Sequence, residues 1–398
     1  MANADMKAKR RVVSSIEKPA RRSPTVRRLK VAFEAAPKPA VAKRDAQALA
    51  PWPSHDESAR NGAASTITPG QSARGAGPFE VDLSVDLGRG LVLQNPILVA
   101  SGTFGYGTEY ADVVEVERLG AICSKGTTLR PRIGNVPPRV TETPGGMLNS
   151  IGLQNPGVDA VVDRYTQTWA QWRTPVIVNV AGESIADYVE VVHRLDGVPG
   201  VAGIELNISC PNVGKGGLQF AIDAEAAGSV TAAVRRATDL PLLVKLSPNV
   251  ADIRPIARAI ADAGADALTA VNTLSGIAVA PSRRRPLLGN IYGGVSGPAI
   301  KPIALRIVYE VAQVVNLPIV AIGGITEFAD VLDYLAVGAV AVQVGTAIFA
   351  DPTLPVRLVD ELAGECQRRG LSTFAPLIGT ALPGRVGAPS ARGVEYRP

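Results

Sequence analysis

The chain has 398 residues, enough for one large α/β domain with appendages, and it is 46% hydrophobic but only 5% aromatic, a balance suited to buried parallel strands wrapped in helices. Three widely separated cysteines (Cys123, Cys210, Cys366) form no CxxC pair and no zinc or iron–sulfur spacing, and two histidines (His55, His193) poorly supply a His-rich metal site or a Ser-His-Asp triad. The net charge of +5 is not evenly spread: residues 1–75 hold fifteen Lys and Arg against six Asp and Glu, so the remainder is mildly acidic.

In chain order, residues 1–75 come first, rich in Ala, Pro, Arg and Ser without a sustained period. Such a segment buries too little apolar surface to offset its ordering entropy, so it is expected to be a disordered basic tail. The alternative is a tether to nucleic acid or an anionic membrane. "VRRLKVAFEAA" (26–36) offers only a short amphipathic helix. No apolar run reaches the ~18–20 residues that span a bilayer. The opening "MANADMKAKRRVV" lacks the apolar stretch of a secretory signal. A soluble, cytoplasmic chain with neither membrane nor nucleic acid as partner is the expectation.

From residue 79 the texture changes. "FEVDLSVDLGRGLVLQNP" alternates apolar and polar residues around Gly-Arg-Gly and predicts a β-hairpin. Eight short apolar runs follow, separated by helix-length segments: "PILVASG" (96–102), "AICSKG" (121–126), "PVIVNVAG" (175–182), "GIELNISC" (203–210), "PLLVKLSP" (241–248), "ADALTAVNT" (265–273), "PIVAIGGI" (318–325) and "AVAVQVGTA" (339–347). Intervening stretches such as "SIADYVEVVHRL" and "KPIALRIVYEVAQVV" place apolar residues at three- and four-residue steps. Eight strand–helix alternations predict a (β/α)8 TIM barrel over residues 76–372, with an N-terminal β-hairpin and a C-terminal extension at 373–398. A doubly wound sheet is the rival. It calls for a GxGxxG fingerprint, and "GTFGYG" (102–107) has the wrong spacing.

In such barrels the active site lies at the carboxyl ends of the strands. Those ends read Ser101-Gly102, Lys125-Gly126, Asn179, Cys210, Lys245, Asn272-Thr273, Gly323-Gly324 and Gly345-Thr346. Glycines after strands seven and eight let a phosphate approach the backbone, and the helix N-termini beyond them offer N–H groups. "GGVSGPAIKP" (293–302) adds a turn able to close over the same group. Taken singly, each glycine is explained by a tight turn; paired on adjacent strands, they point to phosphate. Lys125 and Lys245 need anionic partners if buried, and neither of their strands carries an acid near its tip, which favours a ligand over an internal ion pair. Cys210, between Asn207 and Asn212, is placed to serve as a general base, and amides suit the edge of a cyclic imide. Cys123 and Cys366 read as inert core.

On these residues the chain resembles the class 1 dihydroorotate dehydrogenases, most closely the catalytic subunit of the class 1B, NAD-linked form. The resemblance spans about residues 80–370 and rests on "ASGTFGYGTEY", "SKGTTLRPRIGN", "NSIGLQNPG", "NVAG", "IELNISCPNVGKGG", "VKLSPNV", "VNTLSG", "GGVSGPAIKP", "IGGI" and "VGTA". It implies oxidation of dihydroorotate to orotate in de novo pyrimidine biosynthesis. FMN is then held by Ser101, Lys125, Gly126, Asn179, Asn207, Lys245 and Val271, with its phosphate on Gly297, Gly323, Gly324, Gly345 and Thr346. Substrate contacts fall to Lys125, Asn149, Ser150, Ile151, Gly152, Leu153, Asn207, Asn212, Asn272 and Thr273, and the proton to Cys210. The resemblance also implies a partner subunit carrying FAD and a 2Fe-2S cluster, in a heterotetramer around a homodimer of this chain. A fumarate-reducing class 1A enzyme and a dihydropyrimidine dehydrogenase-like flavin reductase are the alternatives.

Overall fold

Aliphatic runs too short for helices become strands, and the amphipathic stretches between them become helices, in the computed structural model, which describes residues 80–208, 217–280, 282 and 284–384. The expected tail, Cys210, Asn212 and the end of the C-terminal extension lie outside the described residues. The predicted hairpin is present as β1 (Val85–Asp86) and β2 (Val92–Leu93), paired Val85 to Leu93 around Gly88-Arg89-Gly90. Then come β3 (Ile97–Val99), β4 (Ala121–Cys123), β5 (Val140–Thr143), β6 (Gly146–Asn149), α1 (Val158–Trp169), β7 (Val176–Val180), α2 (Ile185–Leu195) and β8 (Val201–Asn207). The middle of the chain forms α3 (Gly217–Ile222), α4 (Ala224–Arg235), β9 (Leu242–Lys245), α5 (Arg254–Asp262), β10 (Ala267–Ala270), β11 (Leu274–Ile277), β12 (Val279–Ala280), β13 (Arg285–Pro286) and β14 (Tyr292–Ser296). It ends with α6 (Lys301–Ala312), β15 (Ile319–Ile322), α7 (Phe328–Ala336), β16 (Ala341–Val344) and α8 (Leu354–Arg369).

Strands β3, β4, β7, β8, β9, β10, β15 and β16 pair in parallel, in chain order, and β16 returns to β3, closing the barrel. These are the eight runs read from the sequence. Almost every residue of these strands is buried, because one face meets the barrel interior and the other meets helices. The connection from β3 to β4 departs from the repeat. It is long enough for a helix, but Gly102, Gly105 and Gly107 all take positive φ, so no helix propagates and only a 3-10 turn forms at Val116–Arg118.

Two further pieces close the ends. The β1–β2 hairpin buries Leu87, Leu91 and Leu93 and covers the amino ends of the strands. There Asp266, just before β10, accepts from Arg89 Nε (3.1 Å), Arg235 Nη1 (2.8 Å) and the Leu242 N–H (2.9 Å). At the opposite rim the excursions after β4 and β10 pair with each other in an antiparallel sheet ordered β11–β14–β6–β5. This sheet is absent from the sequence reading, which took "GGVSGPAIKP" as a turn. After α8, Phe374 and Leu377 are buried, and the N–H groups of Gly379 and Ala381 donate to Leu335 and Ala336 at the end of α7. No described helix is long and apolar enough to cross a membrane.

Asp266 is the common acceptor for Arg89, Arg235 and the Leu242 N–H at the amino ends of the strands. Asp266→Ala strands a largely buried guanidinium and a strand N–H, so urea unfolding should report a loss of about 2–3 kcal/mol.

Candidate active site

The carboxyl rim surrounds a cavity of about 330 Å³, within the range of cofactor and substrate sites. All twelve residues read as flavin contacts line it: Ser101, Lys125, Gly126, Asn179, Asn207, Lys245, Val271, Gly297, Gly323, Gly324, Gly345 and Thr346. Asn149, Ile151, Gly152, Leu153, Asn272 and Thr273 line it as well. Ser150 does not. Its side chain is buried behind the 149–153 loop, where Oγ accepts from Asn135 Nδ2 (2.9 Å) and Asn290 Nδ2 (3.2 Å), so its hydroxyl braces the loop. Cys210 and Asn212 lie outside the described residues; the strand that leads to them, β8, ends at Asn207 on the cavity wall.

The loop holding Asn149–Leu153 is fixed by its own polar groups. Asn155 Oδ1 accepts the N–H groups of Thr128 and Gly157, and its Nδ2 donates to Leu153 O and Thr128 Oγ1. A Cβ on Gly152 (φ +75°) would stand 2.5 Å from Asn135 Oδ1, so only glycine lets the loop turn there. The antiparallel sheet adds Val140, Met147 and Ser296 to the cavity wall.

Beneath the cavity lies a residue that the sequence reading missed. Glu205, on β8, is fully buried and accepts from Asn179 Nδ2 (2.6 Å), Lys245 Nζ (3.2 Å) and Gln343 Nε2 (2.9 Å). The expectation that Lys245 lacks an internal acid is therefore corrected. Its partner comes from the neighbouring strand, in the register that sets Asn207 beside Lys245. The available signal was one carboxylate inside the otherwise apolar "GIEL" (203–206). Burial alone would push the Glu205 carboxyl up. The Lys245 ammonium and the donors Gln343, Cys123 and Asn179 overcome that and hold it below the ordinary glutamate value of 4.5. Burial, reinforced by the Glu205 charge, pushes the Cys123 thiol well above its ordinary value, which fits the inert role read for it. Cys366 is likewise buried, with its thiol pushed up by burial.

Lys245 Nζ also reaches Ser101 Oγ at 3.2 Å, so its charge is shared between the carboxylate below and the cavity above. Lys125 differs: it lines the cavity and has no carboxylate within ion-pair distance among the described residues. A half-buried ammonium without an acid is matched to an anionic ligand.

At the phosphate end two donors are engaged within the chain. The N–H groups of Thr326 and Glu327, just before the first residue of α7, are taken by the Asp330 carboxylate (2.7 and 3.0 Å). After β16 a 3-10 turn, Thr346–Phe349, stands where a helix was expected. The glycines remain suited to a ligand. A Cβ on Gly345 would meet only Ala100 at 3.6 Å and one on Gly102 nothing within 4 Å, so at both points the cavity side is open to a bound group.

The family model described as Dihydroorotate dehydrogenase matches residues 85–365. A protein of Geobacter sp. (strain M21), named dihydroorotate dehydrogenase B (NAD(+)), catalytic subunit, is 51% identical over 298 residues, which are 75% of this chain and 97% of that relative. A protein of the same name from Porphyromonas gingivalis (strain ATCC BAA-308 / W83) is 50% identical over 300 residues, 75% of this chain and 98% of the relative. The crystal structure of the DHODH of Eimeria tenella in complex with ferulenol aligns with a TM-score of 0.64 at 23% identity, covering 75% of this chain and 88% of that one. At that identity the likeness speaks for the fold alone.

The buried pair sets a pH dependence. A carboxyl whose folded value is depressed stabilises the fold above its unfolded value, and that contribution is lost as pH falls through the folded value. Glu205→Gln should lower stability by about 3 kcal/mol near neutrality, by leaving the Lys245 charge uncompensated. Urea unfolding of both chains should show this gap constant from about pH 7 to 5 and narrowing below about pH 4.

Proposed function

The chain belongs to the dihydroorotate dehydrogenase family, and on that premise we propose that it oxidises (S)-dihydroorotate to orotate in pyrimidine (UMP) biosynthesis, as the cytoplasmic catalytic subunit of a class 1B, NAD-linked enzyme. The observation that carries this reading is the shared cavity. An ammonium without an internal acid among the described residues, a row of amides and glycines from three adjacent strand ends face one space at the carboxyl rim.

FMN fits the residues present. The open faces of Gly102 and Gly345, with Gly297, Gly323, Gly324 and Thr346 beside them, suit a phosphate approaching the backbone. Ser101, Lys125, Gly126, Asn179, Asn207, Lys245 and Val271 would hold the ring system. When bound, the flavin supplies the two-electron acceptor for a hydride from C6 of the substrate.

The chain's own groups do the rest. Lys125 supplies the positive charge that a substrate carboxylate needs. Asn149, Asn207, Asn212, Asn272 and Thr273 present the donors and acceptors that match a cyclic imide edge. The 149–153 loop, locked by Asn155 and Asn135, keeps its contacts in place without reorganisation on binding. Cys210, three residues beyond Asn207, takes the proton from C5. The acceptor for the electrons would be a partner subunit carrying FAD and a 2Fe-2S cluster, in a heterotetramer built on a homodimer of this chain. The relatives' name, "catalytic subunit", supports a partner. No group of three or more metal-ligating side chains occurs among the described residues.

The purified chain should be yellow, and dihydroorotate added without oxygen should bleach it; a colourless chain, or bleaching by dihydrouracil alone, refutes the assignment. Cys210→Ala should keep the colour and lose about 10²–10⁴-fold in turnover, with Cys210→Ser only slightly better. With dihydroorotate as donor, the isolated chain should reduce an artificial dye readily and NAD poorly. Brisk NAD reduction would remove the need for the second subunit.

A further inference from the structure

Three asparagines cross the cavity wall in series, and their amides all point the same way. Asn179 Nδ2 donates to Glu205 Oε1 at 2.6 Å. Asn207 Nδ2 donates to Asn179 Oδ1 at 3.3 Å, and Asn272 Nδ2 to Asn207 Oδ1 at 3.4 Å. The far end closes on a backbone donor, the Thr273 N–H, 2.8 Å from Asn272 Oδ1. An amide has a donor end and an acceptor end of almost identical shape, so packing hardly distinguishes its two orientations. A carboxylate does distinguish them, because it only accepts.

We propose that Glu205 is a positioning residue: as an acceptor-only group at the root of the row, it sets the direction of the Asn179–Asn207–Asn272 amides and thereby the donor and acceptor pattern offered to the substrate. Asn207 and Asn272 line the cavity, whereas Glu205 does not, so its influence on a ligand passes through the amides. Gln343 shows how strongly the carboxylate dictates orientation. Its Nε2 turns to Glu205 Oε2 at 2.9 Å although this leaves its buried Oε1 without a partner among the described residues. Without an acceptor at position 205, nothing at the root would hold Asn179, which could reverse and set its NH2 against that of Asn207. The row would then carry a break between its root and the fixed Thr273 N–H.

This role rests on the proposed function, and two substitutions separate it from packing and from the Lys245 ion pair. Glu205→Gln and Glu205→Leu both lose the charge that balances Lys245 and both keep side-chain bulk, but only Gln keeps an oxygen where Oε1 receives Asn179, its NH2 then facing the Oε1 of a reversed Gln343. Packing and charge rank the two alike. The amide row ranks Gln above Leu. Calorimetric titration of each flavin-loaded chain with orotate, below its unfolding temperature and with the flavin-to-protein ratio measured, should show Glu205→Leu weakened by at least about tenfold relative to Glu205→Gln with flavin retained. Affinities of the two variants within about twofold of each other overturn the role. Should Glu205→Leu not fold, Glu205→Gln decides: binding within about threefold of the unsubstituted chain supports the role, and a loss beyond about tenfold overturns it. An unsubstituted chain that binds no orotate overturns the proposed function itself, and this role with it.

Discussion

A carboxylate removed from water costs several kcal/mol unless its lone pairs are met, and Glu205 imposes that demand on the carboxyl end of the barrel. It is answered from three other strands: Asn179 on β7, Lys245 on β9 and Gln343 on β16. None of these side chains is free to choose its orientation while the carboxylate is there. The rim above inherits that order, since Asn179 leads to Asn207 and Lys245 leads to Ser101. What looks from the cavity like a set of independent polar tips includes one hydrogen-bonded assembly rooted in a single buried carboxylate.

The two lysines show how position divides a shared chemistry. Lys245 is balanced from below, so it brings a positive group to the wall at little net cost in field. Lys125 has no such counterweight among the described residues and leaves its charge to whatever occupies the cavity. One cation maintains the architecture and the other is available to a ligand. The same amino acid at two strand ends therefore serves different purposes, and the difference comes from what the neighbouring strand places beside it.

Much of this was legible in the residues. The eight aliphatic runs marked the barrel strands because a doubly covered strand has no polar face to confuse the pattern, and the polar residues at their ends marked the rim. Three features were not legible, each for a physical reason. The Glu205–Lys245 pair depends on cross-strand register, which the period of a single strand does not encode. The antiparallel sheet joins β6 to β14 across more than a hundred residues, and neither short strand declares its partner locally. The N–H groups of Thr326 and Glu327, just before α7, seemed available beside the glycines; Asp330 folds back on both, and an Asp three residues after a Glu does not by itself announce that cap.

In the usual barrel each loop beyond a strand is its own module, able to lengthen or change sequence without consulting the others. Here the ladder between β6 and β14 makes two of those modules a single plate, with Asn149 and Ser296 on it both facing the cavity. Alteration of one strand's length or tilt is transmitted to the other through their shared hydrogen bonds. Variation in this part of the molecule is thus constrained to be concerted: the two segments diverge as a pair, or the wall they form comes apart.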